Sequence, residues 1–187
     1  ELQQAACVGL TFYPQDGRDV DSLMKNADLA LSRAKQEGAG ACALYRHELH
    51  LRAIERNSIE RDLRTAIAKR ELTLFYQPKV DAATGRMTGA EALIRWRHEE
   101  RGFISPAVFI PVAERCGLIV PLTKWVLDEA CRQNREWQVQ GLPKIGIAVN
   151  VSAIDLRRTD LTDTIANTLI ERELSPHYLE LEITESM

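Results

Sequence analysis

From Glu71 onward the chain alternates between strand-like and helical segments, and this order constrains its fold more than any other feature of the sequence. Two strand-like runs, 72–80 and 87–96, are joined by the six residues 81–86, a length that predicts an antiparallel hairpin. The later segments follow in the order helix, helix, strand, helix, strand, at residues 105–117, 121–140, 144–152, 160–172 and 178–185. A hairpin followed by such alternation predicts an α/β fold with a parallel sheet or barrel.

The first part of the chain has a different and shorter pattern. Strand-like runs at 6–13 and 41–45 flank a helical run that Asp19 or Asp21 is expected to cap and that Gly38 ends. Three short elements of this kind are too few to bury a core by themselves. We therefore interpret residues 1–47 as the end of a domain rather than as a domain of their own.

A densely charged helical segment connects the two parts. Residues 48–70 contain few helix breakers and carry one apolar stripe, formed by Ile59, Leu63, Ala66 and Ile67. This pattern is typical of an amphipathic helix, which transmits orientation better than a flexible Gly/Ser tether. The sequence thus predicts a remnant at 1–47, a connector helix at 48–70 and a second domain at 71–187.

Composition excludes several classes of protein. The chain is 45% hydrophobic and 27% charged, values close to those of globular domains, and it has a formal charge of −3. So mild a charge does not fit a protein that binds nucleic acid along its phosphate backbone, nor a polybasic membrane anchor. No apolar run spans a bilayer, so we expect no membrane contact within this segment. The four cysteines form no CxxC pair, so we expect reduced thiols, and we expect those of Cys116 and Cys131 to be buried. Reduced thiols in turn predict a cytoplasmic location. Attachment of the parent protein to the inner membrane remains open.

Three of the predicted strands carry polar residues where a sheet covered by helices is normally apolar. Because side chains alternate along a strand, Glu91 shares a face with Leu93 and Arg95, while Asn150 and Glu182 each stand opposite an apolar face. Closing the strands into a barrel brings Glu91, Asn150 and Glu182 together inside it. Carboxylate and amide oxygens of this kind suit Mg²⁺ or Mn²⁺ rather than zinc.

Each of these residues also has a structural explanation. Glu91 can pair with Arg95 on the same face, Asn150 can satisfy backbone groups at a strand end, and Glu182 and Glu185 can form a solvated face. Each structural explanation is the better one for a residue considered alone. The coincidence of three polar positions on strands that helices should cover favours a functional site.

The same residues carry a family resemblance. Five motifs resemble, in order, those of EAL domains: Tyr76-Gln77-Pro78, Glu91-Ala92-Leu93-Ile94-Arg95-Trp96, Phe109-Ile110-Pro111-Val112-Ala113-Glu114, Val149-Asn150-Val151-Ser152 and Leu181-Glu182-Ile183-Thr184-Glu185-Ser186. The N-terminal part is similar to the end of a GGDEF domain in its runs 13–17 and 26–31. The GGDEF signature itself is absent, and Gly38-Ala39-Gly40 stands where that family usually has Gly-Arg-Asn.

The resemblance implies a fold and a reaction. The fold is a partial (β/α)₈ TIM-like barrel of EAL type with an antiparallel first strand, preceded by a small α/β remnant of a GGDEF domain. The reaction is the hydrolysis of cyclic di-GMP to linear pGpG with two divalent ions, Mg²⁺ or Mn²⁺. By motif match the residues take three roles: metal ligands Glu91, Asn150 and Glu182; a second catalytic carboxylate, Glu185, that orients the site; and substrate contacts Gln77, Leu93 and Arg95.

This chain lacks the family's later strands and the metal-binding residues that they carry, so we expect this exact chain to have no appreciable phosphodiesterase activity by itself. Two alternatives remain open. The domain is a non-catalytic cyclic di-GMP receptor if its later motifs have decayed, although a receptor has no need of metal ligands. Alternatively, the connector and the GGDEF remnant form a dimerising scaffold, and we expect a homodimer through the connector helix or the EAL domain.

Overall fold

A computed structural model describes residues 5–69 and 71–183. The chain forms two compact units, residues 1–58 and residues 59–187. Within the described residues, no helix combines the length and the hydropathy that crossing a bilayer requires.

The first unit is a βαβ arrangement. Strands β1 (Val8–Leu10) and β2 (Cys42–Leu44) pair in parallel, and helix α1 (Val20–Glu37) connects them. The predicted cap is confirmed at Asp19, whose side chain accepts a hydrogen bond from the backbone N–H of Ser22 at 2.8 Å. Helix α1 ends at Gly38, whose φ of 121° a residue with a side chain rarely adopts.

Helix α2 (His47–Lys69) continues from the first unit into the second. In its second half, Ile59, Leu63 and Ala66 are almost fully buried. These are residues of the stripe that the sequence identified, and they pack in the core of the second unit with Leu72 and Trp96.

The second unit contains a five-stranded sheet with helices on one face. Its elements in chain order are β3 (Leu72–Val80), β4 (Met87–His98), β5 (Gly102–Ile104), α3 (Pro106–Cys116), α4 (Ile119–Val139), β6 (Gly146–Val151), α5 (Ala153–Leu156), α6 (Leu161–Glu171) and β7 (Leu179–Ile183). The strand order is β3-β4-β6-β7, with β5 paired to β4. Strands β3 and β5 run antiparallel to β4, whereas β4, β6 and β7 are mutually parallel.

The core lies between the sheet and its helices. Trp96 is fully buried on β4 and meets Phe109 of α3 edge to face, with 5.5 Å between ring centroids. A second cluster joins β6 to α4 through Ile147, Val149 and Leu127. Because alternate residues of each strand enter these clusters, the residues between them point to the uncovered face. That face carries the candidate site.

The sequence missed three short elements, β5, α5 and a 3₁₀ turn at Pro176–Tyr178, and misplaced some boundaries. Strand β5 and helix α5 are three and four residues long, too short to show a period. Helix α4 begins at Ile119, before the predicted start at 121, because proline is tolerated in the first turn of a helix. Cys131 is buried as predicted, but the prediction for Cys116 was wrong: it is only partly buried because it ends α3.

Candidate functional site

Strand pairing brings the predicted site residues onto one face of four neighbouring strands. Gln77 of β3 lies opposite Glu91 of β4, and Glu91 lies beside Ala148 of β6. One step further along, Asn150 of β6 lies beside Glu182 of β7. On β3, β4 and β6, residues directly next to these polar positions pack into the core beneath the helices. The polar side chains therefore point to the opposite, uncovered face.

A short hydrogen bond joins Glu91 and Asn150. The side-chain Nδ2 of Asn150 donates to Oε1 of Glu91 at 2.7 Å, and both side chains are partly buried. Glu91 therefore bonds across the sheet to the next parallel strand. The alternative in which Glu91 pairs with Arg95 along its own strand was wrong for this structure, because Arg95 makes different contacts.

Arg95 lies at the edge of an aromatic group. Its Nη1 donates to the carbonyl oxygen of Ile94 at 2.9 Å, and its guanidinium carbon is 5.6 Å from the ring centroid of Phe75. Phe75 meets Phe103 of β5 edge to face at 6.5 Å, and both rings are more than half exposed. The guanidinium is thus held beside an exposed apolar surface at the carboxyl end of β4.

Lys79 is a charged member of this face that sequence reasoning missed. Its Nζ forms an ion pair with Glu182 and another with Glu180 at 3.1 Å. The hydrogen bond to Glu182 is the main cause that raises the pKa of Lys79 above its ordinary value. On its way to β7 the side chain passes Gly89, where a Cβ would lie 3.8 Å from Cδ of Lys79. The available signal was Gly89, which pairs with Lys79 in the register and leaves room for its side chain.

A cavity of about 200 Å³ opens where β4 and β6 separate. The backbone pairing of these strands ends at Ala92 and Val149, and beyond that point α3 and α4 contribute to the walls. The lining residues that bear on the site are Leu93, Arg95, Thr123, Asn150 and Ser152. The remainder of the wall is apolar, so a bound group meets polar side chains mainly on the side of β4 and β6.

The donor set fits a hard divalent cation. Glu91, Asn150 and Glu182 supply only oxygen ligands of the kind that Mg²⁺ and Mn²⁺ prefer, and two of the three are already in contact. Within the described ranges no group of three His, Cys, Asp or Glu side chains is clustered for a metal, since the third member here is an asparagine. Glu185 lies outside the described residues.

These features define a mixed α/β domain with an acid–amide pair, an arginine and a cavity at the carboxyl ends of its strands. Residues 60–187 match the family described as the EAL domain. The chain therefore belongs to the EAL-domain family, which confirms the resemblance that the motifs indicated.

Two relatives carry names from cyclic di-GMP metabolism. The chain is 44% identical over 186 residues to MucR of Pseudomonas aeruginosa, named a bifunctional diguanylate cyclase/cyclic di-GMP phosphodiesterase. It is 39% identical over 184 residues to NbdA of the same species, named a cyclic di-GMP phosphodiesterase. These matches cover 100% and 98% of the chain but 27% and 24% of the relatives, so the chain spans about a quarter of their length.

A solved structure of one of these relatives supports the fold. The MucR phosphodiesterase in complex with c-di-GMP matches with a TM-score of 0.66 and 49% sequence identity, over 69% of this chain and 52% of that chain. The fold is thus that of EAL-domain structures, and the chain is homologous to cyclic di-GMP phosphodiesterases. The roles of individual site residues, the domain boundaries and homodimer formation stay predictions.

Proposed function

We propose that the protein containing this chain is a cyclic di-GMP phosphodiesterase that opens one phosphodiester bond to give linear pGpG. The observation that carries the proposal is the 2.7 Å contact between Glu91 and Asn150 on the uncovered face, with Glu182 beside Asn150 in the register. Both side chains are partly buried on strands whose other face is covered by helices, where apolar side chains are the usual choice. Within this family, that arrangement is best explained as part of a catalytic centre.

The architecture around the site is proposed to be the first part of a (β/α)₈ barrel. In this arrangement β3 is the antiparallel first strand, and β4, β6 and β7 begin the parallel series. The helix-covered outer face and the polar inner face support the assignment. We further propose that residues 1–47 are the end of a GGDEF domain, which their motifs and short βαβ arrangement support.

Substrate binding falls to residues on β3 and β4. Arg95 uses one N–H on the carbonyl of Ile94, and the other donors of its planar guanidinium suit two oxygens of one phosphate. Gln77, opposite Glu91, presents an amide that both donates and accepts hydrogen bonds. Leu93 contributes apolar contact from the cavity wall between them.

The two glutamates and the asparagine of the uncovered face are proposed to hold the metal. Glu91, Asn150 and Glu182 are the residues that would bind two ions of Mg²⁺ or Mn²⁺, and Glu185 would orient the site. When bound, such ions polarise a phosphate and activate water. The bond between Asn150 and Glu91 keeps both oxygen donors at one place on the sheet before any ion arrives.

The test is the turnover of cyclic di-GMP by the full-length protein with Mg²⁺ or Mn²⁺. The variant Glu91→Gln should lower kcat/KM by about a hundredfold or more, because loss of even an outer partner of a metal ligand typically costs 10- to 100-fold. Glu99→Gln provides the matched control, since Glu99 is an exposed glutamate in the turn that follows β4. Linear pGpG should form with the control as it does with the wild type.

Two outcomes would contradict the proposal. Equal activity of the Glu91→Gln variant and the wild type would remove the catalytic role of Glu91. Tight binding of cyclic di-GMP by the full-length wild type without any turnover would identify a receptor instead.

A further inference from the structure

A fully buried carboxylate lies behind the candidate site and takes no part in the function proposed above. Asp155 of α5 has no exposed surface. Its Oδ2 accepts hydrogen bonds from Oγ1 of Thr123 at 2.7 Å and from Oγ of Ser152 at 3.0 Å. Its Oδ1 is buried without a hydrogen-bond partner, and Nη1 of Arg158 lies 3.5 Å away. Burying a carboxylate costs free energy, so this position calls for a specific explanation.

The hydroxyl groups that bind Asp155 come from two different elements. Ser152 directly follows β6 and also caps α5, where its Oγ accepts from the backbone N–H of Asp155 at 3.3 Å. Thr123 belongs to α4, which covers the sheet. One carboxylate oxygen therefore links the end of β6 to the covering helix.

That link lies where backbone pairing no longer fixes the strand. The ladder between β4 and β6 ends at Val149, one residue before Asn150, although the ladder to β7 continues to Val151. Towards β4, two things hold Asn150 in place: the hydrogen bond from its side chain to Glu91, and the backbone that connects it to Ser152 two residues later. Thr123 and Ser152 also line the cavity that opens at this point.

We propose that Asp155 is a positioning residue: through Thr123 and Ser152 it holds the end of β6 so that Asn150 stays against Glu91. The proposal rests on the proposed function, because it assigns Asp155 to the same centre. Asp155 is fully buried and does not line the cavity, so it would act through Thr123 and Ser152 rather than by direct contact. A simple helix cap would stabilise α5 without affecting how Asn150 binds an ion.

The experiment compares three substitutions in the full-length protein. Asp155→Ala removes the oxygen that both hydroxyls share, and it should lower kcat/KM by about 10- to 100-fold, mainly through kcat, since small misplacements of reacting groups have effects of this size. It should also weaken Mn²⁺ binding, measured by calorimetry without nucleotide, by about tenfold. Asp155→Asn keeps an oxygen acceptor for both hydroxyls and should recover most of each loss. Asp163→Ala removes an exposed carboxylate near the start of α6 and is the matched control.

A fourth variant protects the test against misfolding. Thr123→Val keeps the side-chain shape and removes only the bond from α4, so it should fold and show smaller losses in the same direction. The proposal is overturned if Asp155→Ala and Thr123→Val lower only the melting temperature while kcat, KM and Mn²⁺ affinity stay at wild-type values. It is equally overturned if Asp155→Asn is as impaired as Asp155→Ala.

The same measurements separate this inference from the proposed function. If the wild-type protein hydrolyses no cyclic di-GMP, the proposed function fails. The Mn²⁺ titration still decides the role of Asp155 in that case, because weaker binding in Asp155→Ala supports it and unchanged binding overturns it.

Discussion

At the scale of single residues, Lys79 places a positive charge beside the carboxylates of the uncovered face. Lys79 pairs with Glu180 and Glu182, and the side chains of Lys79 and Glu182 are each 34% exposed. Partly exposed ion pairs contribute only about 0.2–1 kcal/mol to stability. The effect of Lys79 on cation binding should therefore be larger than its effect on folding.

We expect Lys79→Met to bind Mn²⁺ about three- to tenfold more tightly than the wild type, since removing the ammonium frees Glu182 and removes a nearby positive charge that opposes a cation. Calorimetry of the full-length protein without nucleotide measures this, beside Lys144→Met as an exposed lysine control. Weaker binding in Lys79→Met would show that the lysine orients Glu182 rather than competing for it.

Single-sequence reasoning found the acidic and amide members of the site but not their partners. Alternation along each strand, together with the expectation of a barrel whose apolar faces meet the helices, assigned Glu91, Asn150 and Glu182 to one face. The suggested pair of Glu91 and Arg95 was wrong because residues four apart on a strand are about 13 Å apart, unlike residues four apart on a helix. Lys79 was missed because its partners are on β7, and strand order cannot be read from local pattern.

At the scale of elements, two glycines set the contact between β4 and β6. Gly89 and Gly146 are paired in the register, and a Cβ on Gly89 would lie 3.0 Å from the carbonyl oxygen of Gly146. A Cβ on Gly146 would meet nothing within 4 Å. The two positions therefore differ in tolerance although they are neighbours in the same ladder.

Gly89→Ala should lower the free energy of unfolding by about 1–3 kcal/mol, because the carbonyl that blocks the new methyl group belongs to a hydrogen-bonded strand. Gly146→Ala should change it by no more than about 0.5 kcal/mol. Urea unfolding followed by tryptophan fluorescence reports on this unit, since Trp96, Trp125 and Trp137 all lie within residues 59–187. Equal effects of the two substitutions would contradict the steric argument.

Long elements were more predictable than short ones. Helices α1, α3, α4 and α6 and the two hairpin strands each span enough residues for a period to appear, and their predicted extents agree with the structure to within a few residues. Strand β5 exists by pairing with β4, and helix α5 is a single turn capped by Ser152, so neither is long enough to show a period. The link through Asp155 could not be predicted for a different reason: its partner Thr123 is 32 residues away in sequence.

At the scale of the whole molecule, the described chain combines a small βαβ unit with a larger sheet-and-helix unit that carries the site. The larger unit has a thiol in its interior: Cys131 of α4 is fully buried and packs against Leu169 and Leu174. Burial raises the pKa of this thiol to about 11. The stability of the unit is thereby coupled to pH.

The direction of the coupling follows from the pKa of Cys131 in the two states. Unfolding returns the thiol to an ordinary pKa of about 8.5, so the unfolded chain loses its proton first as the pH rises. The stabilisation is complete below that pH and is lost progressively towards pH 11, which amounts to about 1–2 kcal/mol by pH 10. Urea unfolding between pH 7 and 10 should therefore show a steeper decline for the wild type than for Cys131→Ala. The variant should be less stable at pH 7, because it leaves a small cavity beside Leu169 and Leu174. Tyrosines and lysines titrate in both proteins, so the difference between their two curves of unfolding free energy against pH isolates the contribution of the thiol. Parallel curves would show that the pKa of Cys131 is no higher in the folded protein than in the unfolded chain.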